Sequence, residues 1–233
     1  MMKNREAGLV SVVIPCYNAA PFIEDCLNGL LSQTYKKIEV ILVNDASTDH
    51  TQKVVEQWIK KSKPQFPISV CNLPINTGFA GAITIGYFMS SGEYIAVNDA
   101  DDISHSLRFE KQVDFLLKNP DYDLVGSNYQ VFTDVNKKES GQKANWLGYG
   151  DSIRQIYGKG GHCVCHGTIL FRGKAFDMLG GPTRRIHGAE DYEFIVKFLN
   201  AKLKIENLKE ALYYYRSHAQ QRSKTFYGGS KSV

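Results

Sequence analysis

What the sequence lacks narrows the field first. No apolar run in its 233 residues approaches the roughly 18 to 20 needed to cross a bilayer, and the greasiest stretches, such as Ile38 to Val43, are strand-sized. The opening MMKNREAGLV has none of the apolar core that a secretory signal carries. The five cysteines, at 16, 26, 71, 163 and 165, form an odd and scattered set with no disulfide framework. Together these absences predict a soluble chain in a reducing, cytoplasmic setting. Neither G-x-G-x-x-G after the first strand nor G-x-x-x-x-G-K-[ST] anywhere is present, so the dinucleotide fold and the P-loop lose their distinguishing features.

What is there is an ordinary globular composition, 43% hydrophobic and 22% charged, which excludes disorder, collagen and coiled coil. The length suits one large domain or two small ones. The 28 Lys plus Arg exceed the 24 Asp plus Glu by a net charge of +4, and residues 209 to 233 alone hold five basic residues against one acidic. So small an excess, with no basic stripe interleaved with aromatics outside that tail, argues against a nucleic-acid partner. A basic end leaves room for peripheral contact with an anionic membrane face.

The first hundred residues alternate regularly. Leu9 to Ile14 is a buried-type strand, Pro21 opens a helix with Ile23, Cys26, Leu27, Leu30 and Leu31 on one stripe, and Ile38 to Val43 is a second strand. A helix with Val54, Val55, Trp58 and Ile59 inward follows, then a strand at Ile68 to Asn72, a helix from about Gly78 to Met89 and a strand at Tyr94 to Val97. This pattern predicts an α/β fold, a mostly parallel sheet flanked by helices. Beyond Asp102 the regularity breaks: a helix is predicted over 106–118, strands over 123–133, 164–171 and Leu212 to Tyr215, a polar loop-rich stretch over 134–161, and a helix over Asp191 to Asn200. No Pro/Ser-rich linker intervenes, so residues 1–102 and 103–220 are expected to be two halves of one domain, with 221–233 as a flexible basic tail.

Ligands in open α/β sheets bind beyond the carboxyl ends of the strands. That rule selects Pro15 to Asn18, Asn44 to Asp49, Asn76 to Gly78 and Asn98 to Asp102. Asp99-Ala100-Asp101-Asp102 puts three carboxylates within four residues, and their mutual repulsion calls for a cation, magnesium or manganese with oxygen ligands; an acidic turn capping the next helix is the plainer reading. Asp45 either accepts hydrogen bonds from a base or ribose or caps the following helix. Glu190 and Asp191 either complement a helix dipole or do chemistry, and the glycines at 180, 181 and 188 before them suit a loop that approaches a ligand. Arg216 and His218 follow an aromatic strand, where they either meet phosphate or metal or lie on the surface. His162-Cys163-Val164-Cys165-His166 has metal-ligand residue types, but a strand would divide them between two faces and no second ligand pair exists.

Taken in order, these stretches resemble the family 2 glycosyltransferases of the GT-A fold over nearly the whole chain. VSVVIPCYNAAPFIEDCLNGLLSQTYKKIEVILVNDASTD resembles that family's nucleotide-binding half, and NTGFAGAITIGYFMSSGEYIAVNDADD resembles its passage into the Asp-x-Asp motif. GAEDYEFIVKFL and YYYRSHAQQRS resemble its catalytic and closing segments. The resemblance implies a Rossmann-like parallel half and an irregular α+β acceptor-side half. It implies transfer of a sugar, with inversion, from a nucleotide-diphosphate donor, most often a UDP-sugar, to a saccharide or lipid-linked acceptor in polysaccharide or glycolipid assembly, at or near the inner membrane face.

By the same resemblance, Pro15, Tyr17 and Asn18 border the nucleotide, Asp45 contacts the base, and Asn76 and Gly78 lie nearby. Asp99 reaches ribose or metal-bound water, and Asp101 is the main ligand of a divalent cation, manganese or magnesium, with Asp102 and His218 in support. Asp191 is the general base beside Glu190, and Arg216 and His218 assist at the diphosphate. The family's frequent Ala-Arg-Asn is replaced by Ala82-Ile83-Thr84, which removes a cation from that neighbourhood. Acceptor contacts are expected from about 134 to 188, with Trp146, Tyr149, Tyr157 and His187 as candidates. Two other readings remain at this point: a nucleotidyltransferase, whose Gly-rich basic loop PCYNAAPF does not supply, and a non-catalytic binding module, which has no need of Asp101 and Asp191.

Overall fold

The structure is a computed structural model that describes residues 4–183, 188–222 and 224. Four strands, β1 (Glu6–Cys16), β2 (Ile38–Asn44), β3 (Ile68–Asn72) and β4 (Gly92–Val97), alternate with α1 (Ile23–Leu31), α2 (Thr51–Ser62) and α3 (Gly78–Met89). They are parallel, with Cys16 opposite Asn44 and Asn44 opposite Asn72, so their carboxyl ends share one edge. The side-chain period of two then sorts residues between faces. Val10, Val12 and Ile14 join Ile23, Cys26, Leu27 and Trp58 in one core, while Val13 joins Ile41, Ile83 and Tyr87 in the other.

The second half contributes β5 (Ile103–Ser104), α4 (Arg108–Lys118), β6 (Tyr122–Phe132), β7 (Gln142–Lys143), α5 (Ser152–Gly158), β8 (Leu170–Arg172), α6 (Gly173–Leu179), α7 (Glu190–Asn200) and β9 (Lys204–Arg216). The sheet runs β3-β2-β1-β4-β8-β6-β9-β5, and β7 pairs with β6. Because β2 lies on one side of β1 and β4 on the other, the order reverses at β1, and reversals of this kind open a ligand crevice beyond the strand ends. β8 runs antiparallel to both β4 and β6, which makes the whole sheet mixed.

Two expectations need correction, and one helix is new. The apolar run 164–171 is no continuous strand: a 3-10 turn at His166–Thr168 precedes the short β8, so alternation does not sort the two cysteines from the two histidines. The stretch 134–161 is more ordered than its polarity implies, holding a 3-10 turn at Val135–Ser140, β7 and α5. Helix α6 had no sequence forecast; it begins at Gly173, where an added Cβ would lie 2.4 Å from the Arg5 guanidinium. All five cysteines are free. No helix among the described residues is long and apolar enough to cross a membrane.

Candidate functional site

A cleft of about 950 Å3 opens above the carboxyl edge of β1 to β4. One wall comes from the loops after β1, β2 and β3. Asn18, in left-handed conformation at φ 52°, accepts from the Thr48 N–H at 2.8 Å and so ties the loop after β1 to the loop after β2. Pro15 lines the wall and Tyr17, 52% exposed, stands at its rim. Asp45 is buried and does not cap α2. Its Oδ1 accepts from the Thr77 N–H at 2.6 Å and hydroxyl at 2.8 Å, while Asp49 accepts from the Thr51 N–H at 2.9 Å at the start of α2. Asn76 donates to the Asp45 carbonyl at 3.1 Å and accepts from the Gly78 N–H. Gly78 has φ 74° and open space where a Cβ would stand, so its lack of a side chain serves the backbone turn.

The acidic loop Asp99–Asp102 forms the floor. It is held from below by Arg108, fully buried at the start of α4. The Arg108 guanidinium donates to the Val97 carbonyl at 2.8 Å, the Ser104 hydroxyl at 2.9 Å, the Ile169 carbonyl at 3.2 Å and the Asn98 side chain at 3.3 Å. It also faces the Tyr213 ring at 5.0 Å. Burial pulls its pKa down to about 10, so it stays a cation, and its charge opposes the rise of Asp99. From the other side β9 closes the loop: the Asp99 N–H donates to the Tyr213 hydroxyl at 3.0 Å, the Arg216 N–H donates to Asp102 Oδ1 at 2.7 Å, and Ile103 pairs with Tyr214.

Burial and then Asp101 push Asp99 up to about 7, and burial with the two neighbouring aspartates pushes Asp102 well up. Asp102 Oδ2 is buried without a partner among the described residues. Gly167 lets this cluster pack, since a Cβ there would lie 2.6 Å from Asp99 Oδ2. Asp101 Oδ2 faces His218 Nε2 at 2.8 Å, and the His218 ring lies 4.3 Å from Phe22. An orphaned carboxylate oxygen, two carboxyl groups driven toward protonation and an imidazole at the edge fit a hard divalent cation. No three His, Cys, Asp or Glu among the described residues are arranged to hold a metal by themselves. That suits the kind of site in which one or two carboxylates share the ion with phosphate and water.

Across the cleft, α7 presents Glu190 and Asp191 in its first turn. Glu190 accepts from the Gly188 N–H at 2.9 Å and pairs with Arg222 at 2.5 Å. Asp191 Oδ1 accepts from the Tyr192 N–H at 2.7 Å, and Oδ2 lies 3.5 Å from His162 Nε2. Burial pushes the Asp191 carboxyl up, but His162, His166 and the Tyr192 N–H together outweigh it and hold the group at about 2. The aspartate is therefore ionised at neutral pH and available to accept a proton. His166, 7% exposed and edge-on to Phe79 and Phe194, is driven by burial down to about 4 and is neutral.

The cleft thus brings together Pro15, Tyr17, Asn18, Asp45, Asn76, Gly78, Asp99, Asp101, Asp102, Glu190, Asp191 and His218. Arg216 is placed otherwise. Its guanidinium turns inward, donating to the Asp101 carbonyl at 2.8 Å and Asp25 at 2.8 Å between the Phe22 and Phe132 rings, so it supports the acidic loop and does not line the cleft. Among the described residues, the Lys or Arg that lines it is Arg222, over the Phe79 ring at 5.2 Å on the α3 side. Arg222 lies in the segment YYYRSHAQQRS and His162 in the run His162–His166, but nothing in those segments places them beside Glu190 and Asp191. Of the acceptor candidates, Trp146 lines the cleft and Tyr157 lies beneath His162, its hydroxyl 2.7 Å from Nδ1. Tyr149 is outside the lining, and His187 and most of the basic tail lie outside the described residues.

The model of the family described as Glycosyl transferase family 2 matches residues 11–180. Putative glycosyltransferase EpsE of Bacillus subtilis (strain 168) is 34% identical over 209 residues, which are 89% of this chain and 72% of EpsE. An uncharacterized glycosyltransferase of Haemophilus influenzae is 30% identical over 94% of this chain and 68% of its own length. Among solved structures, S. aureus TarS 1-349 in complex with UDP-GlcNAc matches with a TM-score of 0.71 at 23% identity, over 93% of this chain and 60% of that one. The mannosyltransferase PcManGT from Pyrobaculum calidifontis, in complex with GDP-Man and Mn2+, matches with a TM-score of 0.65 at 18% identity, over 93% of this chain and 59% of that one. This chain therefore spans about 60% of these solved chains, and the likeness to them is one of fold. With the family model covering most of its length and EpsE agreeing, the chain belongs to glycosyl transferase family 2, in the GT-A fold.

Proposed function

We propose that the chain moves a sugar from a UDP-sugar to an acceptor hydroxyl with inversion, in the assembly of a cell-surface polysaccharide or glycolipid. The observation that carries this is the pairing, in one cleft, of an ionised Asp191 with an acidic loop built for a cation. The loops after β1 to β3 receive the nucleotide, with Asp45 at the base and Tyr17 at the rim. Asp101, with Asp99, Asp102 and His218 about it, would hold a manganese or magnesium ion. Such an ion, when bound, neutralises charge growing on the departing diphosphate.

Asp191 accepts the proton of the acceptor hydroxyl as that oxygen attacks the anomeric carbon from the face opposite the leaving group, and one displacement inverts the configuration. A carboxylate with so low a pKa gains basicity as the acceptor excludes water from it. Arg222 supplies positive charge to the cleft over Phe79. TarS and PcManGT were solved with UDP-GlcNAc and with GDP-Man and Mn2+, which supports a nucleotide-sugar donor and a divalent cation here. Family membership displaces the nucleotidyltransferase reading, and Asp101 and Asp191 together in the cleft speak against a non-catalytic module.

The test is a panel of UDP-, GDP- and dTDP-sugars, with and without manganese, read by thermal shift and by slow donor hydrolysis. Manganese-dependent stabilisation by UDP and hydrolysis of one UDP-sugar are expected. Stabilisation by nucleoside triphosphates alone would overturn the proposal.

A further inference from the structure

Trp146 is one of two tryptophans, and the two are placed in opposite ways. Trp58 is 2% exposed and donates to Asn28 at 2.8 Å, a core residue with its polar atom satisfied. Trp146 is 38% exposed at the wall of the cleft, yet it is held rigidly. Its indole N–H donates to the Tyr129 hydroxyl at 2.8 Å. The His162 ring stacks along it at 5.4 Å between centroids and 27° between planes. His162 is itself fixed by the Tyr157 hydroxyl at 2.7 Å, and Tyr129 leans on Tyr215 at 5.3 Å. A solvent-facing indole fixed through its N–H and through a stacked neighbour has lost its rotamer freedom before any ligand arrives, which is the arrangement that makes an aromatic side chain an effective platform.

The stacked neighbour also locates the platform in the chemistry. The same His162 ring that stacks on Trp146 reaches Asp191 Oδ2 at 3.5 Å. Indole, imidazole and carboxylate thus form one connected wall. Trp146 and Asp191 line the same cleft.

We propose that Trp146 is the acceptor subsite and that its occupant is a pyranose ring of a saccharide acceptor, stacked on the indole with one hydroxyl directed at Asp191. This rests on the glycosyl-transfer reading and adds the acceptor's chemical class to it. A sugar ring suits the place because its C–H face matches an aromatic face while its hydroxyl edge matches the polar groups around it, Asp191, His162 and the Tyr129 hydroxyl.

The test uses the whole chain and a panel of methyl pyranosides (gluco, galacto, manno and N-acetylglucosamine), with UDP and octyl phosphate as controls. Because Trp58 is enclosed, quenching of tryptophan emission by a pyranoside should persist in Trp58→Phe and vanish in Trp146→Phe. In transfer assays with the pyranoside that quenches, Trp146→Ala should raise acceptor KM roughly tenfold. The donor KM should move far less than the acceptor KM, and Trp146→Tyr should recover most of the loss. Quenching by UDP or octyl phosphate in place of every pyranoside, or an acceptor KM unmoved in Trp146→Ala, would overturn the inference. Failure of the transfer reading itself looks different, because wild-type chain would then neither bind UDP nor hydrolyse a UDP-sugar, and this inference would fall with it.

Discussion

The two halves of the domain hold their functional groups by different means. From β1 to β4 each strand hands its end to a short loop, and the loops are tied by local or neighbouring backbone contacts, as Asn18 ties to Thr48 and Asp45 to Thr77. Beyond Asp102 the site is assembled from residues distant in sequence, as Asp99 on Tyr213, Arg216 on Asp102 and Arg108 on the Ile169 carbonyl show. The parallel half is a repeating scaffold whose geometry follows from apolar periodicity. The mixed half depends on buried polar side chains that must all find partners at once.

The sharpest way to separate the halves is Asp191→Asn, which should lower transfer by about 10²- to 10⁴-fold while UDP affinity, owned by the other half, stays within about twofold. Steady-state kinetics beside UDP titration check this, and unchanged turnover would remove Asp191 from the chemistry. Next is Arg108→Leu, which removes a buried cation from five acceptors around the acidic floor and should cost about 3 to 5 kcal/mol in denaturant unfolding. If the floor does depend on it, manganese-dependent stabilisation by UDP should be lost in folded protein at low temperature.

Acid should weaken the second half through His166, which faces Asp191, His162 and Arg222. Its pKa is pushed down to about 4, against 6.5 for a free histidine, so between these values the unfolded chain binds a proton that the folded chain refuses. Stability from this group is therefore complete above pH 6.5 and declines as pH falls toward 4, by up to about 3 kcal/mol. His166→Phe should flatten that part of the pH profile, and an unchanged slope would assign the loss to other groups.

The smallest effect tests the scaffold. Gly86 lies on α3 where an added Cβ would come 2.2 Å from Val13 Cγ1 on β1, so Gly86→Ala should cost about 1 to 3 kcal/mol in thermal or denaturant melts. Its effect on Asp191-dependent turnover of the folded fraction should be nil.

The same contrast explains what could be seen in the sequence. Strand and helix positions through residue 97 follow from period-two and period-3.6 apolar patterns, which neighbours in sequence determine. The region 164–171 was misjudged because β-branched and cysteine residues look like a strand whether or not a turn at His166 interrupts them. Arg108 gave no signal, since Ser-Leu-Arg-Phe-Glu-Lys-Gln looks like the start of a solvent-facing helix, and only the fold encloses it. His162 and His166 suggested a metal ladder in isolation. Their relation to Asp191 depends on α7 packing against them from about 25 residues away. Arg216, expected to assist at the diphosphate, is instead interior, and Arg222 pairs with Glu190.

The clasp of β9 on the acidic loop has a consequence for how the protein comes into being. Tyr213, Tyr214 and Arg216 complete a floor whose carboxylates were laid down more than a hundred residues earlier. The four-residue acidic loop therefore lacks these partners until β9 has been made, and synthesis that stops short of Arg216 would leave Asp102 without the backbone donor that holds it.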